Sequence, residues 1–472
     1  VTAVVAGPRE LPALETNREL IIPPSQERTL ANGLTVIVIE RRSVPLVEVR
    51  LRVPFGRAVL DPPYVAKGAL MSQTLFSGTA TMSTVDIATA LQTVGGALSA
   101  GTDSDRFLIS GNGLASGLEQ ILGIMADVLN GATYPEGEVA TEQGRMIDRI
   151  QVAQRQPAHL ARVALLRRIY GEHPYALQLP YAADVRALDR SDLAGLHAQR
   201  LHPAGATLVL VGDIDATATL DLAERLLGSW SDTGAVAEEV PLLPGFGAGP
   251  IVLADRPGSV QSSMRLALPA VGRTHPDHAP VQLANLVFGG YFSSRWVENI
   301  REDKGYTYSP HSAIDHSVAG STLILSADVA TGVTAAALLE TWYELGRIAT
   351  LPPGIDELEQ ARQYALGSLL LGMSTQSGLA SLASTFAGYG LRLDFLVEHS
   401  RRLATATREE VAAAAATYLA PAKAATVVLG DASLIADSLA TLGPVDQSAA
   451  PSPAPGEDEP AVENPVVELR GD

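Results

Sequence analysis

An internal duplication constrains this chain more than any other feature. The stretch "PAGATLVLVGD" runs from Pro203 to Asp213, and "PAKAATVVLGD" runs from Pro421 to Asp431. Every matched pair keeps the 218-residue separation of Pro203 and Pro421. The register also extends backwards, where Arg190, Asp192, Leu193 and Leu201 meet Arg408, Glu410, Val411 and Leu419. Each copy reads as a helix, a proline break and a buried apolar strand closing at Gly-Asp. A chain of 472 residues is also too long for one ordinary core. Two tandem halves of one fold are therefore expected, with Val209 and Val427 at equivalent buried strand positions.

Within the first half, strands are expected at Thr35 to Ile39 and Val47 to Val53, after the Asn32-Gly33 turn signal. Helices are expected at Ala66 to Phe76, at Thr84 to Val94 with Thr84 as cap, at 117–130 and at Val139 to Val152. The fold class is α+β, each half a mixed β-sheet with helices mainly on one face. Composition sets the boundaries: an N-terminal extension (1–27), a first domain (28–230), a Gly/Pro-rich linker (231–248), a second domain (249–440) and an acidic Pro/Ala-rich tail (441–472). Near the end of that tail, "VENPVVELR" has the pattern of a segment that pairs with a surface.

Charge and composition exclude several functions. The net charge of −18 argues against nucleic acid and anionic membranes as partners. It is read as a solvated acidic surface or as an acidic cavity that attracts basic peptides. Without cysteine there are no disulfides, no Cys-ligated zinc and no thiol nucleophile. No apolar run is long enough to span a membrane, and the first residues lack a signal-peptide pattern. A bacterial cytoplasmic location is expected. "GNGLASG" (Gly111, Gly113, Gly117) is a turn before a helix, since its spacing is one residue longer than a dinucleotide fingerprint. His275 and His278 have metal-ligand spacing but no visible third ligand, so they read as a helix entry. His173, before a proline, reads as a loop anchor.

The stretch "FGGYFSSRWVENIREDKGYTYSPHSA", Phe288 to Ala313, carries the main candidate site. It reads as a glycine turn, a helix ending at Lys304-Gly305 and a strand from Tyr306. On spacing alone, Arg301 is a C-capping residue and Tyr308 a core-edge residue. The stretch also resembles the R-x-x-x-G-x-x-Y motif in the second domain of the M16 (pitrilysin/insulinase-like, mitochondrial-processing-peptidase-like) metallopeptidases, specifically the shorter M16B class. Arg301, Gly305 and Tyr308 fill the motif. "HPYA" (173–176), "LHPAGATLVLVGD" (201–213) and "LFSGTATMSTVDIATALQTVGG" (75–96) resemble other landmarks of that family.

Active members of the family carry H-x-x-E-H on the helix before the Leu-Phe-x-Gly-Thr turn. Two histidines one turn apart hold Zn²⁺, and the glutamate is base for its water. Alignment on Leu75 to Thr79 puts Ala69, Ser72 and Gln73 at those positions, and the distal glutamate ligand falls on Arg149. The resemblance therefore implies a non-catalytic subunit with no metal of its own. Its partner would be a homologous H-x-x-E-H chain carrying Zn, and the two would close around a peptide substrate. Arg301 and Tyr308 would be the catalytic contribution, Tyr308 donating to the scissile carbonyl and Arg301 orienting the substrate. The alternatives are an inactive scaffold of the same fold and a peptide-binding homodimer.

Overall fold

The computed structural model describes residues 20–231 and 238–451. The first half contains β1 (Ser25–Thr29), β2 (Thr35–Glu40), β3 (Leu46–Pro54), β4 (Ala97–Thr102), β5 (Arg106–Leu114) and β6 (Thr207–Gly212), in the sheet order β1-β2-β6-β3-β5-β4. The second contains β7 (Ile251–Asp255), β8 (Gln261–Ala270), β9 (His311–Ser317), β10 (Gly320–Ala330), β11 (Ala425–Gly430) and β12 (Val445–Ala449), in the order β12-β7-β11-β8-β10-β9. Strands β6 and β11 each pair in parallel on one side, with β2 and β7, and antiparallel on the other, with β3 and β8. Both sheets are mixed, and five strands of each (β2-β6-β3-β5-β4 and β7-β11-β8-β10-β9) share one order; the edge strands differ, β1 running antiparallel to β2 and β12 parallel to β7.

The duplication holds residue by residue. Val209 and Val427 are both fully buried, and they lie opposite Arg50 and Arg265 on the neighbouring antiparallel strands. These two arginines are themselves equivalent. Arg50 donates to the carbonyls of Val49 and Gly111, and Arg265 to those of Met264 and Ala327. A buried guanidinium needs such acceptors, because an unpaired charge in the core is strongly unfavourable.

Each half packs its own helices on one face of its sheet. Helices Pro62–Thr74, Leu118–Gly131 and Ala216–Leu227 enclose the first core, and Thr334–Thr350, Ile355–Ser374 and Arg408–Tyr418 enclose the second. The opposite face of each sheet is covered by a helix from the other half. Helix Gln376–Ala387 lays Leu379, Ala380, Ala383 and Phe386 against Ile39, Val209 and Val211. Reciprocally, helix Pro157–Tyr170 lays Leu165, Leu166 and Ile169 against Val427, Ala425 and Ala267. This exchange explains why β6 and β11 are continuous apolar runs and not alternating ones: both faces are buried. Polar ties cross the same junction, Tyr170 to Thr322 at 2.9 Å and Arg50 to Ser377 at 2.9 Å.

Several local expectations are corrected. The cap of helix Thr84–Thr93 is Ser83, not Thr84. Ser83 and Asp86 form a reciprocal capping box, while the Thr84 hydroxyl donates to the Ser77 carbonyl at 2.6 Å. Ser83→Ala is expected to lower stability by about 1 kcal/mol, measured by urea unfolding. An unchanged midpoint would mean that the box contributes nothing. No strand starts at Tyr306; β9 begins at His311, after Pro310, which has no N–H for a ladder. Residues 445–449, at the head of the acidic tail, form β12 on the open edge of β7, where main-chain pairing tolerates polar side chains. "VENPVVELR" lies outside the described residues. Linker residues after 237 are pinned: Val240, Leu243 and Phe246 pack beside Tyr170, and His173 Nε2 donates to the Pro241 carbonyl at 2.8 Å.

Candidate functional site

Arg301 and Tyr308 are brought together by two local devices. Residues Glu298–Asp303 form a π-helical turn, a widened geometry frequent at functional positions. Gly305 then adopts φ 62°, the left-handed conformation that favours glycine, and folds the chain back. The Gly305 N–H bonds to the Arg301 carbonyl, and the Tyr306 N–H to the Ile300 carbonyl. Upstream, Gly289 permits close packing, since a Cβ there would lie 2.8 Å from the Trp296 ring.

The Arg301 guanidinium sits between two rings, 4.5 Å from the centroid of Phe292 and 4.7 Å from that of Tyr308. Its Nε pairs with Glu302 at 3.1 Å. Such stacking holds a cation in place while leaving edge N–H groups for a ligand. Tyr308 is 78% exposed and Phe292 58%, so the trio forms a surface and not a core edge. Gln261, Thr307 and Asp328 complete a shallow depression around them. Neither Phe292 nor Glu302 is signalled by periodicity or motif; each is recognisable only once the turn is folded.

The second locus is a cavity of about 630 Å³ beside helix Pro62–Thr74. Ala69, Ser72, Gln73 and Arg149 all line it, so the four positions that the resemblance aligns with the family's zinc motif converge in space. Their chemistry does not fit zinc. Ala69 offers a methyl group, and the Ser72 hydroxyl is engaged with the Ala69 carbonyl at 2.8 Å. Gln73 reaches towards the Ala100 carbonyl at 3.5 Å. Arg149 is a permanent cation, paired with Glu142 at 2.5 Å. Among the described residues there is no group of three or more His, Asp or Glu arranged to hold a metal. The floor is apolar, with Phe55, Met146 and Ile150. Tyr64, whose phenol donates to the Phe55 carbonyl, has its pKa raised by burial. No residue of this cavity belongs to the Arg301 depression.

His278 and His275 do not form a metal pair. His278 opens helix His278–Asn285 and is buried against His316 (Nε2–Nε2 3.4 Å) and His399. Arg273 lies nearby, over the Phe386 and Tyr389 rings. Burial, followed by the neighbouring cationic groups, drives the three imidazole pKa values down to about 2 for His278, 3 for His316 and 4 for His399.

Two tandem mixed sheets, each roofed by its own helices and floored by a helix of the other half, define the fold class as that of the M16 peptidases. Residues 36–182 match the family model described as "Insulinase (Peptidase family M16)", and residues 187–364 match "Peptidase M16 inactive domain". The chain belongs to the M16 family. An uncharacterized zinc protease of Mycobacterium tuberculosis is 26% identical over 417 residues, 85% of this chain and 92% of that protein. YmxG, an uncharacterized zinc protease of Bacillus subtilis, is 24% identical over 75% of this chain and 85% of its own length. Among solved structures, an M16 inactive domain from Pseudomonas fluorescens superposes with a TM-score of 0.77 at 23% identity, covering 86% of this chain and 98% of that one. A Helicobacter pylori protease gives 0.79 at 17% identity, covering 86% and 100%. Among the described residues, no helix is long and apolar enough to cross a membrane.

Proposed function

We propose that this chain is the metal-free, Arg/Tyr-bearing subunit of a two-chain zinc peptidase of the M16B class, acting in the cytoplasm on peptides. Its partner is a homologous chain with an intact H-x-x-E-H helix. The observation that carries the reading is the juxtaposition of Arg301 and Tyr308 on an exposed face of a chain whose own motif positions hold a methyl, a hydroxyl, an amide and a guanidinium. In such a pair, this donor and cation would act on a substrate held at the metal of the second chain. Closure over the substrate would place the Tyr308 hydroxyl near the developing oxyanion and Arg301 along the peptide backbone.

The test is co-expression with an H-x-x-E-H homologue from the same genome, followed by co-purification, metal analysis and a peptide-library digest. A stable pair is expected, with zinc and cleavage in the pair and neither in this chain alone. Zinc-supported cleavage by this chain alone would overturn the proposal. Failure of any such homologue to bind would favour the inactive scaffold or the peptide-binding homodimer.

A further inference from the structure

The cavity beside helix Pro62–Thr74 plays no part in the proposed reaction, yet it has the size and wall chemistry of a small-molecule site. Its volume of about 630 Å³ lies within the range of about 300–1,000 Å³ usual for ligand pockets. An apolar cavity of about 150 Å³ holds one benzene molecule, so this one has room for roughly four such pieces and a single side chain would leave most of it empty. Phe55, Tyr64, Met146 and Ile150 line it and are each 9% exposed or less. At the rim, Val59 and Leu179 are large hydrophobic side chains exposed at 58% and 39%.

The charged groups of the wall are already neutralised by the protein itself. Asp61 accepts from the Tyr64 N–H at 3.1 Å and pairs with Arg57 at 3.4 Å, and Arg57 also pairs with Glu238 at 3.1 Å. Asp103 accepts from the N–H groups of Asp105 and Arg106 and from the Arg106 Nε, each at 2.9 Å. Arg149 pairs with Glu142 at 2.5 Å. A charged ligand has to break one of these pairs or stay unpaired in apolar surroundings, and an uncharged one does neither. The hydrogen-bonding capacity left over is uncharged and sits at consecutive positions of one helix. The Ser72 hydroxyl donates to the Ala69 carbonyl, which leaves its oxygen to accept. Gln73 spends one N–H on a long contact to the Ala100 carbonyl at 3.5 Å, which leaves a second N–H and an acceptor oxygen.

We propose that this cavity is a binding site for a small uncharged molecule, an aliphatic or aromatic body carrying one amide or carbonyl group. The polar group meets Ser72 and Gln73, and the body lies on the Phe55, Met146 and Ile150 floor. Apolar burial supplies the affinity, and the two polar side chains set the orientation.

The test titrates the full chain at neutral pH with decanamide, decanoate and decylamine, which share one alkyl length and differ in charge. Calorimetry or displacement of Nile red fluorescence reads the binding. Decanamide is expected to bind saturably and at least about tenfold more tightly than either charged analogue, because only the charged ones disturb the paired wall. Two substitutions occupy the space: Ala69→Phe inside the cavity, and Gln73→Trp at an exposed position that leaves the core untouched. Each is expected to weaken decanamide at least about tenfold, while Leu434→Trp, at a 67% exposed position on helix Ala432–Ala440 outside the cavity, leaves it unchanged. Urea midpoints check that Gln73→Trp is as stable as the unaltered chain. No saturable binding, equal affinity for the three probes, or binding indifferent to both cavity substitutions would overturn the proposal. Tighter binding of a blocked tri-leucine peptide than of decanamide would also overturn it, by making the cavity a peptide site. The titration needs no partner subunit and no zinc, so its outcome is independent of the two-chain reading.

Discussion

Tyr308→Phe is expected to leave assembly and zinc content of the reconstituted pair unchanged and to lower peptide turnover by about 10²–10³-fold. That is the typical loss when one preorganised donor to an oxyanion is removed, about 2.7–4 kcal/mol in the transition state. The substitution keeps the ring that covers Arg301 at 4.7 Å and deletes only the hydroxyl. With Tyr308 78% exposed, losing that hydroxyl leaves no buried polar group unpaired. Arg301→Ala should instead act mainly on KM, because the cation orients substrate, although it also removes the packing between Phe292 and Tyr308. Size-exclusion chromatography checks assembly, and steady-state kinetics separate kcat from KM. Wild-type kinetics in both variants would make the pair structural.

Acid is expected to unfold this protein through its buried histidines. His278, His316 and His399 all have folded pKa values below the ordinary 6.5, because burial and the Arg273 guanidinium oppose their charged forms. The unfolded chain therefore takes up these protons at higher pH than the folded one. The stabilisation is fully present above about pH 6.5 and is lost as pH falls towards the folded values, from His399 near 4 down to His278 near 2. Each histidine contributes a slope of about 1.4 kcal/mol per pH unit, so three approach about 4 kcal/mol per unit near pH 5. Protonation strikes the junction itself, since Arg273 also stacks on Phe386 of the helix that covers the first sheet. Urea unfolding between pH 7.5 and 4.5 should show this slope, and His278→Asn with His316→Asn should flatten it. An identical pH dependence in the double variant would place the acid sensitivity elsewhere.

The two α+β halves with mixed sheets and the equivalence of Val209 and Val427 were legible in the sequence, because a duplicated strand keeps its apolar run and its Gly-Asp exit wherever it folds. Which residues stand at the family's zinc-motif positions was read through the resemblance, and neither the Ala69 methyl nor the Arg149 guanidinium offers zinc a donor. The convergence of Ala69, Ser72, Gln73 and Arg149 on one cavity was implied only through the family resemblance, and it is the fold that lines them up. The capping role of Ser83 was missed by one residue, because Ser and Thr at adjacent positions carry the same local signal and only the Asp86 bond separates them.

Other features depend on contacts between residues far apart in the chain, which no local pattern encodes. The reciprocal covering of each sheet by the other half's helix is one, since an apolar strand face looks the same whichever helix buries it. The histidine cluster draws on residues 278, 316 and 399, from three separate elements, and their depressed pKa values come from burial that spacing cannot report. Placing Arg301 between Phe292 and Tyr308 required the π-helical turn and the left-handed Gly305. The sequence by itself determined the duplication, and through the family resemblance it pointed to Ala69, Ser72, Gln73 and Arg149 at the zinc-motif positions and to Arg301 and Tyr308 as a pair. Only the tertiary structure decided how the halves interlock, which cavity Ala69, Ser72, Gln73 and Arg149 line and that Arg301 and Tyr308 face outward, because each of these is set by packing between segments more than by the residues within one.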